Sequence, residues 1–468
     1  MIKTPESPYE TLAQIVGINC GFCIKGKYIK EEIQNKWNLF LQKYPYCVDY
    51  EWTEGIFDQF KTVNTIEINE TNEIREIDIQ KIFETNQSKE KNENEEFIEI
   101  TEINQAMRII IEESFYFSIQ TRSVGKLKSA SLVFSSIEIQ KEWYSFFGMY
   151  QCHSRTDLTS LNYLVEEFLN LFDENEMINE KDNQIVPILS YYPQYVENNC
   201  SPSIDKRDEI LKTIPTNVLQ FDCSQMKGEE MKYREIREGL YAQTSETLKL
   251  NKNETTTFLQ WCKNHSLSPQ AVFNAIQLKV YNNLFERKCI STNQKEEMNQ
   301  TIVFMFPYDC RNLVGITTPT IGLYAEDIYP MYPESFLSLS IEEMAQELTT
   351  YVRNITTLTA SEFDRYRDGY YNGHFASVTF PISCFFSNLG KLKVMERLTP
   401  TMKEKFIDFQ CAGCSRIAQN SEDVSISIHS FGLFDGSCNL CASYNGKIEY
   451  QIVVKTLNAI KEMIINLN

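Results

Sequence analysis

Within residues 30–43, Ile33, Trp37, Phe40 and Leu41 recur at the spacing of one helical face, which predicts a helix over Lys30–Lys43. Tyr44-Pro45 ends it, because proline lacks the amide a further turn needs and restricts the residue before it. Ahead of this helix, Ile15–Ile24 is almost continuously apolar, as a buried strand is, and Gly26 breaks the run. After it the pattern is mixed and leans towards strand as far as about Ile82. Phe115–Gln120, Ser131–Ile137 and Trp143–Tyr150 read as strands. Thr159–Phe172 then changes period, with Leu161, Leu164, Val165, Phe168 and Leu169 on one side of an amphipathic helix.

A polar stretch follows, and Pro187, Pro193, Pro202 and Pro215 punctuate what comes next. Residues 173–230 are therefore expected to be a crossover between an N-terminal part, 1–172, and a C-terminal part, 231–468. In the second part Asn253 is expected to cap a helix reaching about His265. Ser268-Pro269 supplies an N-cap and first position for a helix that buries Val272, Phe273, Ile276, Val280 and Leu284. Thr301–Phe306 reads as a strand ending at Pro307, and Ser340 as the cap of a helix over Ile341–Leu358. Strands are expected at Ser377–Pro381, Ser425–His429 and Cys438–Tyr444, with Phe434-Asp435-Gly436-Ser437 as a hairpin turn. Ile452–Leu467 closes the chain as a helix. Both parts mix strands and helices, so the class is α/β, and 468 residues exceed what one core usually supports.

Composition narrows the function. Hydrophobic residues make up 42%, with 29 Phe and 25 Tyr, enough for large cores and too much for a disordered chain. The tract 84–96 is polar without periodicity and reads as a solvated surface insertion. A net charge of −19 with no run of Lys and Arg disfavours nucleic acid and anionic lipid as partners. Residues 1–15 carry Glu and Pro where an export signal has its apolar core, and no apolar run approaches about 18 residues. The expectation is a cytoplasmic protein without a spanning helix, whose 14 Cys are mostly buried, reduced thiols.

Three Cys-x-x-Cys pairs occur, Cys20/Cys23, Cys411/Cys414 and Cys438/Cys441, and the last two have the spacing of a zinc site. Residues three apart on a strand point to opposite faces, however, so no metal is expected. Walker loops, dinucleotide glycine fingerprints and G-x-S-x-G elbows are absent from the sequence.

Four His are present. His265 falls at a helix end, His374 in a loop and His429 in a strand. His153 opens His153-Ser154-Arg155-Thr156-Asp157 between an apolar strand and an amphipathic helix, a position held on both sides by packed structure. Bare H-x-x-x-D is weak, because its chance frequency is high. Its context is specific. Cys152–Phe172 resembles the HHxxxDG signature and following helix of the CoA-dependent acyltransferase superfamily, which includes chloramphenicol acetyltransferase, alcohol acetyltransferases, plant BAHD enzymes and condensation domains. Further landmarks fall in that family's order. Ile18–Tyr46 is similar to its opening strand, helix and RHP. Phe306–Arg311 (FPYDCR) resembles its PVDLR, Gly322 its LGN glycine, and Phe386–Gly390 (FSNLG) the SNLG of alcohol acetyltransferases.

The resemblance implies two similar α/β lobes, each a mixed sheet with flanking helices, and an active-site tunnel between them. It implies an acyl transfer from a CoA thioester to a small alcohol or amine, with acyl-CoA as co-substrate and no resident cofactor. His153 takes the role of general base, since a neutral imidazole can accept the acceptor's proton near physiological pH. Asp157 is implied to be structural and orienting, with Arg311 as its partner and Arg155 as the local alternative. Ser387, Asn388 and Gly390 are candidate substrate-binding residues; Ser387 and Asn388 either shape the tunnel and donate to the oxyanion or simply form a turn before Gly390. Lys391 and Lys393 read as solvated strand-edge lysines rather than phosphate ligands. The chain departs from the pattern at Cys152, which replaces the first His, and at Leu158, which replaces a Gly. Two other readings stay open: a condensation-type transferase using a carrier-protein thioester, and a catalytically silent binding scaffold. Lack of an adjoining carrier domain in this sequence favours free CoA over the first.

Overall fold

A computed structural model describes residues 16–44, 50–52, 60–61, 74–81, 102–122, 126–127, 130–152, 156–173, 186–187, 217–227, 243–291, 300–312, 316, 319–322, 324–356, 382–416, 426–445 and 448–467. His153, Ser154, Arg155, the tract 84–96, His374 and the strand expected at Ser377–Pro381 lie outside these residues, as do the side chains of Lys391, Lys393 and Cys414.

The first half runs β1 (Val16–Lys25), α1 (Lys30–Lys43), β2 (Tyr50–Trp52), β3 (Phe60–Lys61), β4 (Arg75–Glu76), α2 (Glu102–Arg122), β5 (Lys126–Leu127), β6 (Ala130–Ile139), β7 (Glu142–Cys152), α3 (Leu158–Asn170) and β8 (Val186–Pro187). The second runs β9 (Asn217–Met226), β10 (Gln243–Leu250), α4 (Lys252–Asn264), α5 (Pro269–Leu284), β11 (Phe285–Ser291), β12 (Thr301–Asp309), β13 (Thr320–Ile321), β14 (Ala325–Ile328), β15 (Met331–Pro333), α6 (Ile341–Thr356), β16 (Cys384–Val394), α7 (Pro400–Lys405), β17 (Phe406–Arg416), β18 (Ser427–Leu433), β19 (Cys438–Asn445) and α8 (Tyr450–Ile465).

Local chemistry sets most of these boundaries. Helix α1 buries Ile33, Trp37, Phe40 and Leu41, and Tyr44 is its C-cap. Ser268 and Pro269 are the N-cap and first position of α5. At α6, Ser340 Oγ accepts from the Glu343 amide while the Glu343 carboxylate accepts from the Ser340 amide. Helix α4 begins earlier than expected, because Asn251, not Asn253, forms a capping box with Glu254. Gly436, at φ +86°, closes the β18–β19 hairpin. Strand β12 runs through Pro307 to Asp309, with Pro307 opposite Asp327 of β14. Proline is tolerated in a ladder wherever its missing amide has nothing to meet.

Two mixed sheets carry the fold. The first has the order β17-β1-β7-β6-β4, and the second β10-β19-β18-β16-β12-β9-β11, with β14 and β15 also on β12. Strand β9 falls inside the stretch expected as a crossover, yet it pairs with β11 and β12. Strand β17 comes from the second half and pairs with β1 from Val16↔Arg416 to Ile24↔Phe406. Helices α4, α5, α6 and α8 cover one face of the second sheet, and their core includes Phe258, Phe273, Leu348 and Val453. Helices α1 and α3 cover one face of the first, where Phe168 meets Phe22, Trp37, Phe40, Phe147 and Phe172 edge to face at 5.4–6.2 Å.

The other face of the first sheet receives α2, and here the strand expected at Phe115–Gln120 is corrected. Those residues belong to α2, whose Met107, Ile110 and Ile111 pack on Cys23, Val133 and Phe146. Gly21 and Gly148 are paired across β1 and β7 and leave a shallow trough for it. A Cβ on Gly148 would stand 2.5 Å from the Ile110 carbonyl oxygen, and one on Gly21 would stand 2.8 Å from Ile111 Cγ1.

Cys20 and Cys23 enter different cores, as do Cys438 and Cys441, so neither pair converges on one point. Among the described residues no group of three or more His, Cys, Asp and Glu is arranged to hold a metal ion, and no helix is long and apolar enough to cross a membrane.

Because the Ile110 carbonyl is backbone, Gly148→Ala has no soft neighbour to push aside. It is expected to destabilise the protein by roughly 1–3 kcal/mol in urea unfolding, with α2 the first element to lose amide protection.

Candidate active site

Strand β7 ends at Cys152, which pairs with Gly17, and α3 begins after Asp157. Three residues, 153–155, bridge these fixed ends. Asp157 is the N-cap of α3, and its carboxylate is fully engaged. Oδ1 accepts from the Ser160 amide at 2.8 Å and from Arg311 Nη2 at 3.0 Å. Oδ2 accepts from Arg311 Nη1 at 2.8 Å and from the Tyr324 amide at 2.9 Å. Both charged side chains are buried, at 2% and 7% exposure.

Arg311 follows the end of β12, in a 3₁₀ turn at Cys310–Asn312. Its amide and Nη1 both donate to Asp309 Oδ1. Nη2 also donates to Ser160 Oγ at 2.7 Å and to the Thr320 carbonyl at 3.2 Å, and the Tyr324 ring lies against the guanidinium at 4.8 Å. Burial alone would push the Asp157 carboxyl up. The Arg311 guanidinium and the Ser160 and Tyr324 amides outweigh it and hold the group below its ordinary range. Burial also opposes the charge on Arg311, but the carboxylates of Asp157 and Asp309 hold its proton more firmly than usual.

Ser160 extends this clamp. Its hydroxyl donates to the Gly322 carbonyl at 2.8 Å and accepts from the Gly322 amide at 3.0 Å, while the Asp157 amide reaches the same carbonyl at 3.3 Å. A Cβ at Gly322 would meet the Tyr324 ring at 2.6 Å. A side chain there would displace the ring from Arg311. The start of α3 is thereby tied to segment 309–324 of the second half. Leu158, at the first position of α3, packs against the first sheet's core.

Farther along α3, Asn162, Glu166 and Asn170 form a polar stripe with a spacing of four. They accept from the amides of Met395, Arg397 and Thr399 respectively. That segment continues β16, which carries Ser387, Asn388 and Gly390. Ser387 is buried and stands beside His429 of β18. The Asn388 amide donates to Gln270 Oε1, and Asn388 Oδ1 accepts from the Gly390 amide at 2.9 Å and from Ser430 Oγ at 3.1 Å. Gly390, at φ +64°, lies where the β16–β18 register shifts between Asn388 and Lys393. Ser387 and Asn388 thus keep the ladder register, and the irregularity opens after Asn388, where Gly390 stands. Beyond it, Val394 and Met395 enter the core of the first sheet.

The residues missed at the level of sequence are Ser160, Tyr324, Asp309 and the stripe on α3. Only the stripe leaves a local signal, as polar residues at positions i, i+4 and i+8 flanking an apolar face.

No protein-family model matches the chain, and no curated protein sequence does. Solved structures match along nearly its whole length. Polyketide synthase associated protein 5 from Mycobacterium tuberculosis superposes with a TM-score of 0.58 at 13% identity, covering 98% of this chain and 97% of that one. The trichothecene 15-O-acetyltransferase of Fusarium sporotrichioides gives 0.56 at 10% identity, covering 97% and 94%. The nonribosomal peptide synthetase cyclization–docking bidomain EpoB from Sorangium cellulosum gives 0.55 at 12% identity, covering 97% and 80%. At these identities the likeness is one of fold.

Breaking a buried ion pair from one side leaves the other charge uncompensated. Arg311→Leu is expected to lower stability by about 3–5 kcal/mol in chemical unfolding. Asp157 is held ionised, so the stability it contributes is complete above the ordinary Asp range and is lost as pH falls through its depressed value. Acidification from about pH 5 to about pH 2 should therefore destabilise the wild type more than Asp157→Asn.

Proposed function

We propose that this chain, whose fold is the two-lobed one of the chloramphenicol-acetyltransferase-like acyltransferases and condensation domains, transfers an acyl group from a CoA thioester to a hydroxyl or amine of a small acceptor. His153 is its general base. The observation that carries this reading is the clamp on Asp157. It fixes the start of α3 four residues after His153, while Cys152 fixes the end of β7 one residue before it. Anchored flanks on both sides are what a positioned general base requires, and they support the assignment of His153.

The Asp157 carboxylate has no oxygen left to polarise an imidazole, so it acts as a positioning residue. In the proposed step the neutral His153 imidazole takes the proton from the acceptor's hydroxyl or amine as that atom bonds to the thioester carbonyl carbon. The carbonyl electrons move onto oxygen, and hydrogen-bond donors at the lobe junction hold the oxyanion. Collapse re-forms the carbonyl, breaks the carbon–sulfur bond and releases thiolate, which takes the proton from the imidazolium. Ester or amide and free thiol are the products, and the base is restored.

Use of a carrier-protein thioester is the second reading, supported by the structural likeness to a peptide-synthetase bidomain. The two readings separate on donor preference. A carrier-dependent enzyme accepts carrier-bound acyl groups far better than acyl-CoA.

Thiol release from acetyl- and longer acyl-CoAs with mixed alcohols and amines is expected to depend on the acceptor. It should fall by about 10²–10⁴-fold in folded His153→Ala. Equal release by both proteins would remove His153 from the mechanism.

A further inference from the structure

Four neighbouring strands of the second sheet bring one row of side chains together. Thr247 of β10 pairs with Cys441 of β19, Cys441 with His429 of β18, and His429 with Ser387 of β16. On three of these strands the flanking residues Leu440, Ala442, Ile428 and Phe386 point into the core beneath α5 and α8. Alternation therefore turns Cys441, His429 and Ser387 to the opposite face, where Phe431 and Cys441 meet the core of the first sheet. The row lies between the two lobes, on the strand that also carries the register shift after Asn388.

Cys441 is committed, since its Sγ donates to the Cys411 carbonyl at 2.7 Å. His429 is not. It is 3% exposed, and neither Nδ1 nor Nε2 has a hydrogen-bond partner among the described residues. Its ring contact is edge-on to Phe385 at 5.3 Å. Burial pushes its pKa down to about 4, so the ring is neutral at physiological pH and carries one donor and one acceptor. Burying both without a protein partner opposes folding with no return inside the protein.

We infer that the His429 imidazole binds substrate through hydrogen bonds to a neutral hydroxyl or secondary-amide group, in a subsite shared with Ser387. Ser387, Cys441, Thr247 and Phe385 bring no charge to this site. A carboxylate, phosphate or ammonium group would find no counter-charge among them, whereas a hydroxyl or amide can meet the ring as donor, acceptor or both. The inference rests on the acyl-transfer reading for its ligand. Two sources fit the chemistry: the amide-bearing pantetheine arm of the thioester donor, or a polar group of the acceptor.

His429→Phe keeps a ring against Phe385 but removes both polar atoms, and His429→Gln restores one donor and one acceptor. His429→Phe is expected to fold with an equal or higher Tm, because it relieves an unmet buried polar group. The KM for one substrate should rise roughly tenfold with kcat changed little, and His429→Gln should recover part of the loss. A rise for acyl-CoA identifies the pantetheine arm; a rise for the alcohol or amine identifies the acceptor. A higher Tm with both KM values unchanged would overturn the inference. Imidazole nitrogen resonances of the full chain, with His429 assigned by its loss in His429→Phe, give a readout independent of turnover. The resonances should shift on adding S-acetylpantetheine or a primary alcohol such as hexan-1-ol. Such a shift in a chain that transfers no acyl group would uphold the subsite while sinking the enzymatic reading. No shift with either probe would sink the subsite.

Discussion

The structure depends on one ion pair buried where the two halves of the chain meet. Two charges taken out of water are stable only when every polar atom around them is met. Here four hydrogen bonds meet the Asp157 carboxylate, and the Arg311 guanidinium finds Asp157, Asp309, Ser160 and Thr320. The pair does not tolerate being half-made. It therefore couples the first turn of α3 to Asp309, Arg311, Thr320 and Tyr324 of the second half.

The same coupling is repeated by other means along the junction. The stripe on α3 holds the backbone of 395–399, so β16 begins in one sheet's core and its continuation ends in the other's. The carbonyls of Phe409 and Cys411 on β17 accept from Asn439 and Cys441 of β19. Side chains of one sheet thus cap an edge of the other, which removes a strand edge that would otherwise be open to pairing. The lobes are better described as interlocked than as docked.

How much of this was legible depended on the range of the interactions. Helices α1 and α3 announce themselves because their apolar faces repeat over several turns, and the Ser268-Pro269 start of α5 is a local signature. Helix α2 does not, because Phe115, Tyr116 and Phe117 favour a strand locally. What makes them helical is the trough at Gly21 and Gly148, distant in sequence and visible only once β1 and β7 are paired. The partnership of Asp157 and Arg311, 154 residues apart, leaves no periodic trace. It entered through resemblance to a family, and composition alone is blind to it. Ser160 and Tyr324 stayed hidden for the same reason, as did the strand at 217–226 within a proline-punctuated stretch.

The pairing of β1 with β17 has a consequence for how the protein is made. Val16 meets Arg416, so during synthesis β1 waits for a partner some four hundred residues behind it. At about 5–20 residues per second, synthesis of that interval lasts roughly 20–80 s. Throughout it β1 presents a bare strand edge to every other chain nearby, and the first sheet closes only once β17 has been made.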